Sequence, residues 1–402
     1  MNSKGGLHMH PRIAMLGGRL NILERAHAAG VGVVLIHNHG APDKRALELC
    51  EKVIEVDLND FDQVKSAVLG EHRDEPFSRV ISIAEECLVT AAQLNELLAL
   101  GGNTATSARL LKDKHLMRRR LEHVALSPVR TRLVTTPQQV ESFLTGPGSP
   151  IMLKPVTGAG SLNVAKVESV SEITPVWEKI AGSGPILAEE FLVGHEISVE
   201  SFSHRGEHAV ISMTSKTLTE NLVEVGHAMP SALGKNQWDA VADLVNSFLR
   251  AIGLEEGPCH TEVILTSAGP RIVESQNRIG GGGIADLLHR SCGSDFIRLA
   301  VTVPLGIDPC PTPPLNQTGA AVRFFQASPG RIVEVQGLAD AMAVEGVTIY
   351  DPPTVGNSVP ELTWSLDRVN GYVIAEGADI HESVARCEKA ISMVDITTVP
   401  QS

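Results

Sequence analysis

The stretch that most constrains the fold is residues 261–283, TEVILTSAGPRIVESQNRIGGGG. Two apolar runs, Val263-Ile264-Leu265 and Arg271-Ile272-Val273, flank Thr266-Ser267-Ala268-Gly269-Pro270. That pattern reads as a β-hairpin with a Gly-Pro turn. Glu262 opens the first strand and Glu274 closes the second. An antiparallel pair sets its outer ends side by side, so the two carboxylates are expected to meet. Facing like charges repel unless a cation lies between them. Hard oxygen ligands suit Mg²⁺, above all where phosphate completes the shell, with Mn²⁺ as the alternative ion. Asn277, Arg278 and the glycines Gly280 to Gly283 follow, a backbone open to close approach by a ligand. The competing reading is a sheet-edge hairpin with solvated acids and a loose linker.

The chain has 402 residues, more than one core serves, so two or three domains are expected. Its formal net charge of −13 argues against nucleic acid and against an anionic membrane surface as partners. No apolar run reaches the roughly 18 residues of a membrane span. The opening MNSKGGLHMHPR lacks the apolar stretch of a signal peptide. Six cysteines without a CxxC pair suggest reduced thiols, a cytoplasmic location and no zinc site. His8, His10, His37 and His39 have no second ligand pair nearby.

Residues 12–105 alternate short apolar strands with helices, a doubly wound α/β pattern. Gly17-Gly18 lacks the full GxGxxG, and His37 stands where a dinucleotide site wants an acid. A Rossmann-like scaffold without NAD is expected. Glu85, after the fourth strand and at the head of a long helix to Leu100, is a substrate candidate; a solvated helix start is its rival. A basic helix over residues 106–125 carries Lys114 and Arg118-Arg119-Arg120; the arginines read as a solvated or interdomain face. Strand 150–155 ends in Lys154, a point charge beside the loop Thr157 to Asn163. That loop, with Gly158, Ala159, Gly160 and Ser161, can bend over phosphates and offer N–H donors. It is not a Walker loop, since GxxxxGK[ST] is absent. Strands 186–192 and 196–202 complete a small α+β lid. Mixed sheet follows to about residue 305, with an amphipathic helix Lys235 to Ile252 and a helix Ile284 to Ala300. The remainder is β-rich and ends in a strand and a helix. Four units are expected: 1–105, 106–195, 196–305 and 306–402.

In order along the chain stand Lys112-Asp113-Lys114, Met152-Leu153-Lys154-Pro155, Gly158-Ala159-Gly160-Ser161, Glu189-Glu190-Phe191-Leu192-Val193-Gly194-His195-Glu196, His260-Thr261-Glu262 and Glu274-Ser275-Gln276-Asn277-Arg278. This ordered set resembles the ATP-grasp superfamily over about residues 10–390. The phrase Val223-Glu224-Val225-Gly226-His227-Ala228-Met229-Pro230 makes it most similar to carboxylate–amine ligases of the L-amino-acid ligase (dipeptide synthase) branch. The resemblance implies an α/β and α+β ATP-grasp fold: an N-terminal Rossmann-like domain, a small lid and a C-terminal mixed domain. It implies ATP and Mg²⁺, small-molecule carboxylate and amine substrates, and a homodimer.

The same resemblance assigns roles. Lys114, Lys154 and the loop Gly158 to Ser161 would contact ATP phosphates. Glu189 would accept from the adenine amino group, the Phe191–Leu192 backbone would meet the purine edge, and Glu196 would take the ribose hydroxyls. Glu262 and Glu274 would hold the metal, with Gln276 as a third ligand; many relatives carry Asn there, and neighbouring Asn277 is the substitute. Arg278 would stabilise spread oxyanion charge. His227 would bind the substrate carboxylate or manage the amine proton. Gly281, Gly282 and Glu85 would border the substrate. The implied reaction activates a carboxylate as an acyl phosphate, which an amine then displaces. A ribotide-using or carboxylating enzyme and a non-catalytic nucleotide binder are the alternatives.

Overall fold

The computed structural model describes residues 10–40, 43–145, 150–158 and 160–400. Ala159, His8 and the start of the helix expected at Ala41 lie outside the described residues.

The N-terminal sheet is parallel, in the order Lys52–Glu55, Gly32–His37, Arg12–Leu16, Arg79–Ile81. Alternate residues of Arg12–Leu16 feed opposite cores. Ile13 and Met15 pack with Ile22, Leu23 and Ala26 on one face, and Ala14 and Leu16 with Val64, Val68 and Leu94 on the other. The strand order reverses between Arg12–Leu16 and Arg79–Ile81, which opens a crevice at their carboxyl ends. Gly17 and Glu85 lie there. The long helix expected from Glu85 is a 3₁₀ turn, Glu85–Cys87, followed by helix Leu88–Leu97.

The lid is an antiparallel sheet in the order Thr131–Val134, Ile186–Glu190, Ile151–Pro155, Ala165–Val167. Helices Pro137–Leu144 and Val170–Ile180 contribute Val140, Phe143, Ile173 and Ile180 to its core.

The largest sheet has eight strands, each antiparallel to its neighbours. Its order is Gly269–Gln276, Glu256–Thr266, His195–His204, Glu207–Leu218, Glu224–Met229, Gly319–Phe324, Tyr372–Gly377, Val347–Tyr350. Helix Lys235–Ile252 buries Val241, Val245, Phe248 and Leu249 against one face. Helix Ile284–Cys292 packs Leu287 and Leu288 against Phe202, Ile211 and Val322. The sheet runs across the boundary expected at residue 305. A separate three-stranded sheet joins Ser358–Val359, Gly330–Gln336 and Asp395–Val399.

Several local expectations change. The hairpin turns at Ser267-Ala268, because Thr266 pairs with Gly269 and Leu265 with Pro270. Pro270 is tolerated inside a strand because Gly269–Gln276 is the sheet edge. Helix Ile284 to Ala300 is two helices, parted at Gly293 (φ 68°). The basic helix is also two, Ala105–Lys112 and Lys114–His123. Asp113 breaks it and caps the second by accepting from the Leu116 N–H.

For Arg118 the interdomain alternative holds and the solvated one does not. It is buried, and its Nε donates to Glu189 Oε1 at 2.6 Å. It also donates to the carbonyls of Ile272 (2.6 Å) and Val273 (3.1 Å). One side chain thus ties helix Lys114–His123 to the lid and to the hairpin over residues 256–276. Arg118→Ala would leave those acceptors buried without this partner. We expect a loss of about 3–5 kcal/mol in urea unfolding, against a few tenths for exposed Arg119→Ala.

Candidate active site

Glu262 and Glu274 are register partners across the hairpin, with a β-bulge just beyond Glu262. Each carboxylate meets a lysine in place of a free cation. Lys114 Nζ lies 2.8 Å from Glu274 Oε2 and donates to the Gly158 carbonyl at 2.8 Å. Burial works against the Lys114 charge, but Glu274 outweighs it and raises its pKa. Gln276 Nε2 donates to Glu274 Oε1 at 2.8 Å. Gln276 Oε1 is then a buried oxygen without a partner among the described residues. Two carboxylates and an orphan amide oxygen are a donor set that fits a hard divalent ion. Asn277 is no substitute ligand. It donates to the carbonyls of Glu256 and Pro258 and accepts from Asn103 at 2.6 Å.

Lys216 is the site's main cation that sequence reasoning missed. Its Nζ lies 2.6 Å from Glu262 Oε1, 2.7 Å from Glu224 Oε1 and 2.8 Å from Glu196 Oε1. These three glutamates are close enough together to hold a metal ion themselves. Here the ammonium is their shared counter-ion. Burial disfavours that charge, but Glu262, Glu224 and Glu196 hold its pKa well above the ordinary lysine value. Burial would likewise raise Glu262, yet Lys216 and His260 keep it below the usual carboxylate range. Glu196, expected at ribose hydroxyls, turns Oε1 to Lys216 instead. The signal for Lys216 was available: a lone lysine inside a strand whose neighbours Met213 and Thr214 are buried.

Across the cleft, Glu189 is fully engaged. Arg118 holds both its oxygens, at 2.6 and 3.2 Å, and Lys154 lies 2.6 Å from Oε2. Burial alone would raise its pKa, but the two cations hold it at about 2. Its side chain is therefore a buried counter-ion to both cations, at the position expected to accept from the adenine amino group. Lys154, expected to face phosphate, is spent on the same pair in this structure. The Phe191 N–H donates to the Pro150 carbonyl at 3.0 Å. The Lys166 ammonium sits 4.5 Å from the Phe191 ring centre.

The phosphate-loop candidate is bent. Gly158 and Gly160 take φ of 127° and 69°, and Ser161 and Asn163 take 62° and 59°. It rests on the opposite wall. The Ser365 N–H donates to the Gly160 carbonyl at 3.0 Å, and Ser161 Oγ donates to the Leu222 carbonyl at 3.3 Å.

Arg278 lies between the hairpin and the N-terminal crevice. Its Nε and Nη2 donate to Glu85 Oε2 at 3.0 and 2.7 Å. Glu85 therefore orients Arg278, in place of the solvated helix start that rivalled its substrate role. His227 is buried, and neither ring nitrogen has a hydrogen-bond partner among the described residues. Glu224 Oε2 is 3.5 Å from its Nε2. Burial pushes its pKa down to about 4 despite Glu224, so the ring is neutral at pH 7. Gly282 approaches it closely: a Cβ there would lie 3.1 Å from His227 Cε1. A Cβ at Gly281 would meet open space.

His260 is structural in its contacts. Its Nδ1 lies 3.0 Å from both oxygens of buried Glu200. Burial opposes its charge, but Glu200 raises the pKa to about 9. The folded value exceeds the ordinary 6.5, so this stabilisation is complete below that pH and fades as pH rises through 9. We expect the melting temperature to fall between about pH 6.5 and 9, with a shallower slope in His260→Gln.

Three family descriptions match the chain: the ATP-grasp N-terminal domain over residues 23–102, the ATP-grasp domain over 148–286, and the L-amino acid ligase C-terminal domain 2 over 323–399. The two ATP-grasp matches together take in more than half of the chain. An L-arginine-specific L-amino acid ligase from Bacillus subtilis is 22% identical over 279 residues, covering 67% of each chain. Alanine–anticapsin ligase from Bacillus subtilis strain 168 is 24% identical over 53% of this chain and 50% of its own. The crystal structure of an L-amino acid ligase from Bacillus licheniformis superposes with a TM-score of 0.82 at 22% identity, covering 98% of this chain and 99% of that one. The fold is therefore the mixed α/β ATP-grasp fold. Among the described residues no helix is long and apolar enough to cross a membrane.

Proposed function

We propose that this chain, which belongs to the ATP-grasp superfamily, is an ATP-dependent carboxylate–amine ligase that joins amino acids or amino-acid-like acids through an amide bond. The observation that carries this reading is the Glu262–Glu274 pair, with the Gln276 oxygen on one side and Arg278 beside the glycine run, open at Gly281, on the other. With a divalent ion held by the carboxylates and the amide oxygen, that arrangement would offset a polyphosphate and, through Arg278, a developing oxyanion in one place.

A carboxylate is a poor acyl donor because its leaving group would be oxide. Transfer of the γ-phosphoryl group onto it makes a good leaving group, phosphate, which a free amine then displaces. Phosphoryl transfer needs positioning and charge neutralisation more than covalent help from the protein. Glu262, Glu274 and Gln276 would hold Mg²⁺ or Mn²⁺, which when bound offsets phosphate charge. Lys114 reaches the same space from the linker helix and grips the Gly158 carbonyl of the lid loop. Once phosphates enter, Lys114 and Lys154 can exchange their carboxylate partners for phosphate oxygens. The Phe191–Leu192 backbone is the assigned purine edge, and Glu196, released by Lys216, the assigned ribose acceptor. Arg278, oriented by Glu85, offers a planar fork to the acyl phosphate and the tetrahedral intermediate. His227, bordering Gly282, would bind the substrate carboxylate or manage the amine proton. The loop at residues 157–163, seated on Leu222 and Ser365, excludes water that would hydrolyse the intermediate. The four sequence units, a homodimer and a cytoplasmic location belong to the same reading.

The test is phosphate release from ATP and Mg²⁺ across a matrix of amino acids and small acids, with mass analysis of products. We expect release only when acid and amine are both present, together with an amide product. Glu274→Ala and Arg278→Ala should each lower turnover by roughly 10²–10³-fold, the second without loss of ATP binding. ATP binding with no release across the matrix would reject the ligase reading.

A further inference from the structure

Resting on the ligase reading, we propose that Arg368 binds the non-reacting carboxylate of the amino acid that supplies the amine. Arg368 arrives from the 3₁₀ turn Ser365–Asp367, far in sequence from the other site residues. Its Nε donates to the Ser365 carbonyl at 2.6 Å and its Nη1 to the Glu224 carbonyl at 3.1 Å. Its guanidinium carbon lies 4.2 Å from the centre of the Phe324 ring. The side chain is mostly buried, with Nη1 3.8 Å from Glu224 Oε2, too long for a hydrogen bond.

The other cations around the cleft are committed to acids. Lys114 is held by Glu274, Lys154 and Arg118 by Glu189, Lys216 by three glutamates, and Arg278 by Glu85. Arg368 bonds to backbone carbonyls, and its Nη2 engages no partner among the described residues. A guanidinium in that state keeps both charge and donors for a carboxylate. Its surroundings fit the rest of an amino acid. A Cβ on Gly282 would lie 3.1 Å from His227 Cε1 and 3.4 Å from Arg368 Nη1, so these two side chains border the same glycine. Glu224, adjacent to both, is an anion able to receive the substrate's ammonium group.

The lid reaches this residue through backbone. The Gly160 carbonyl accepts from the Ser365 N–H, and the Ser365 carbonyl accepts from Arg368. A Cβ at Gly160 would come within 2.2 Å of Ser365 Oγ, so the contact has no room for a side chain. The turn that aims Arg368 is thus the seat of the phosphate loop.

The experiment compares a free amino acid with its α-carboxamide as amine donors, in the pair-dependent phosphate-release assay, for wild type, Arg368→Ala and Arg368→Gln. We expect Arg368→Ala to raise KM for the free amino acid about 100-fold. KM for the carboxamide and for ATP should stay within about threefold. Arg368→Gln keeps a donor for the carbonyls and should show the same selective loss if the alanine variant does not fold. A wild-type preference for the free acid that survives in Arg368→Gln overturns the proposal. So does an equal rise in KM for both amines, the mark of a merely structural role. Failure of the wild-type protein to release phosphate with any pair is instead the failure of the ligase reading, visible before any variant is made.

Discussion

The site depends on an electrostatic conflict that the fold itself creates. Antiparallel register forces Glu262 against Glu274, Glu196 arrives on the next strand, and Glu224 on the strand beyond the one that bears Lys216. Unpaired, so many buried carboxylates would disfavour folding strongly. Lys216 and Lys114 ease the conflict, each from a different element. Two ammonium groups thus offset part of the charge of four carboxylates before any substrate arrives. Ligand cations and anions can enter by exchanging partners with charges already present, so no bare charge has to be buried.

A second layer of ion pairs joins the units. Arg118 bonds to lid and hairpin at once, and Arg278 bonds back to Glu85 in the N-terminal crevice. The phosphate loop touches the wall built by Leu222 and Ser365. Contacts that set the geometry of the proposed chemistry are thus also contacts between units. Changes in one unit should be felt at the reacting atoms of another.

The sequence exposed the parts of this arrangement that depend on local pattern. Strand alternation predicted the N-terminal sheet, and the two hairpin strands predicted that Glu262 and Glu274 meet, although their pairing depends on a turn at Ser267-Ala268 and a bulge after Glu262 that local pattern did not show. What stayed hidden was pairing between distant segments. Lys216 sits inside the strand Glu207–Leu218, and its three acids come from three other segments. Glu189 was legible as an important acid but not as one already neutralised, since Arg118 looked like surface charge. Arg368 lies in a stretch without periodicity, and only the folded chain brings it to His227. The hairpin turn was misplaced by two residues because Gly269-Pro270 is a strong turn signal that an edge strand can absorb.

The eight-stranded sheet has a further consequence. Strands Gly319–Phe324 and Tyr372–Gly377 lie inside it, next to Glu224–Met229, which bears Glu224 and His227. No loop separates nucleotide-handling strands from those expected to shape the substrate pocket; the seam between them is a ladder of backbone hydrogen bonds. A chimera that grafted the last hundred or so residues from a relative would have to rebuild that ladder in register, or leave an open edge prone to pairing with other chains. Diversification of substrate choice in such a chain is therefore easier through single side chains and the turns between strands than through exchange of whole modules.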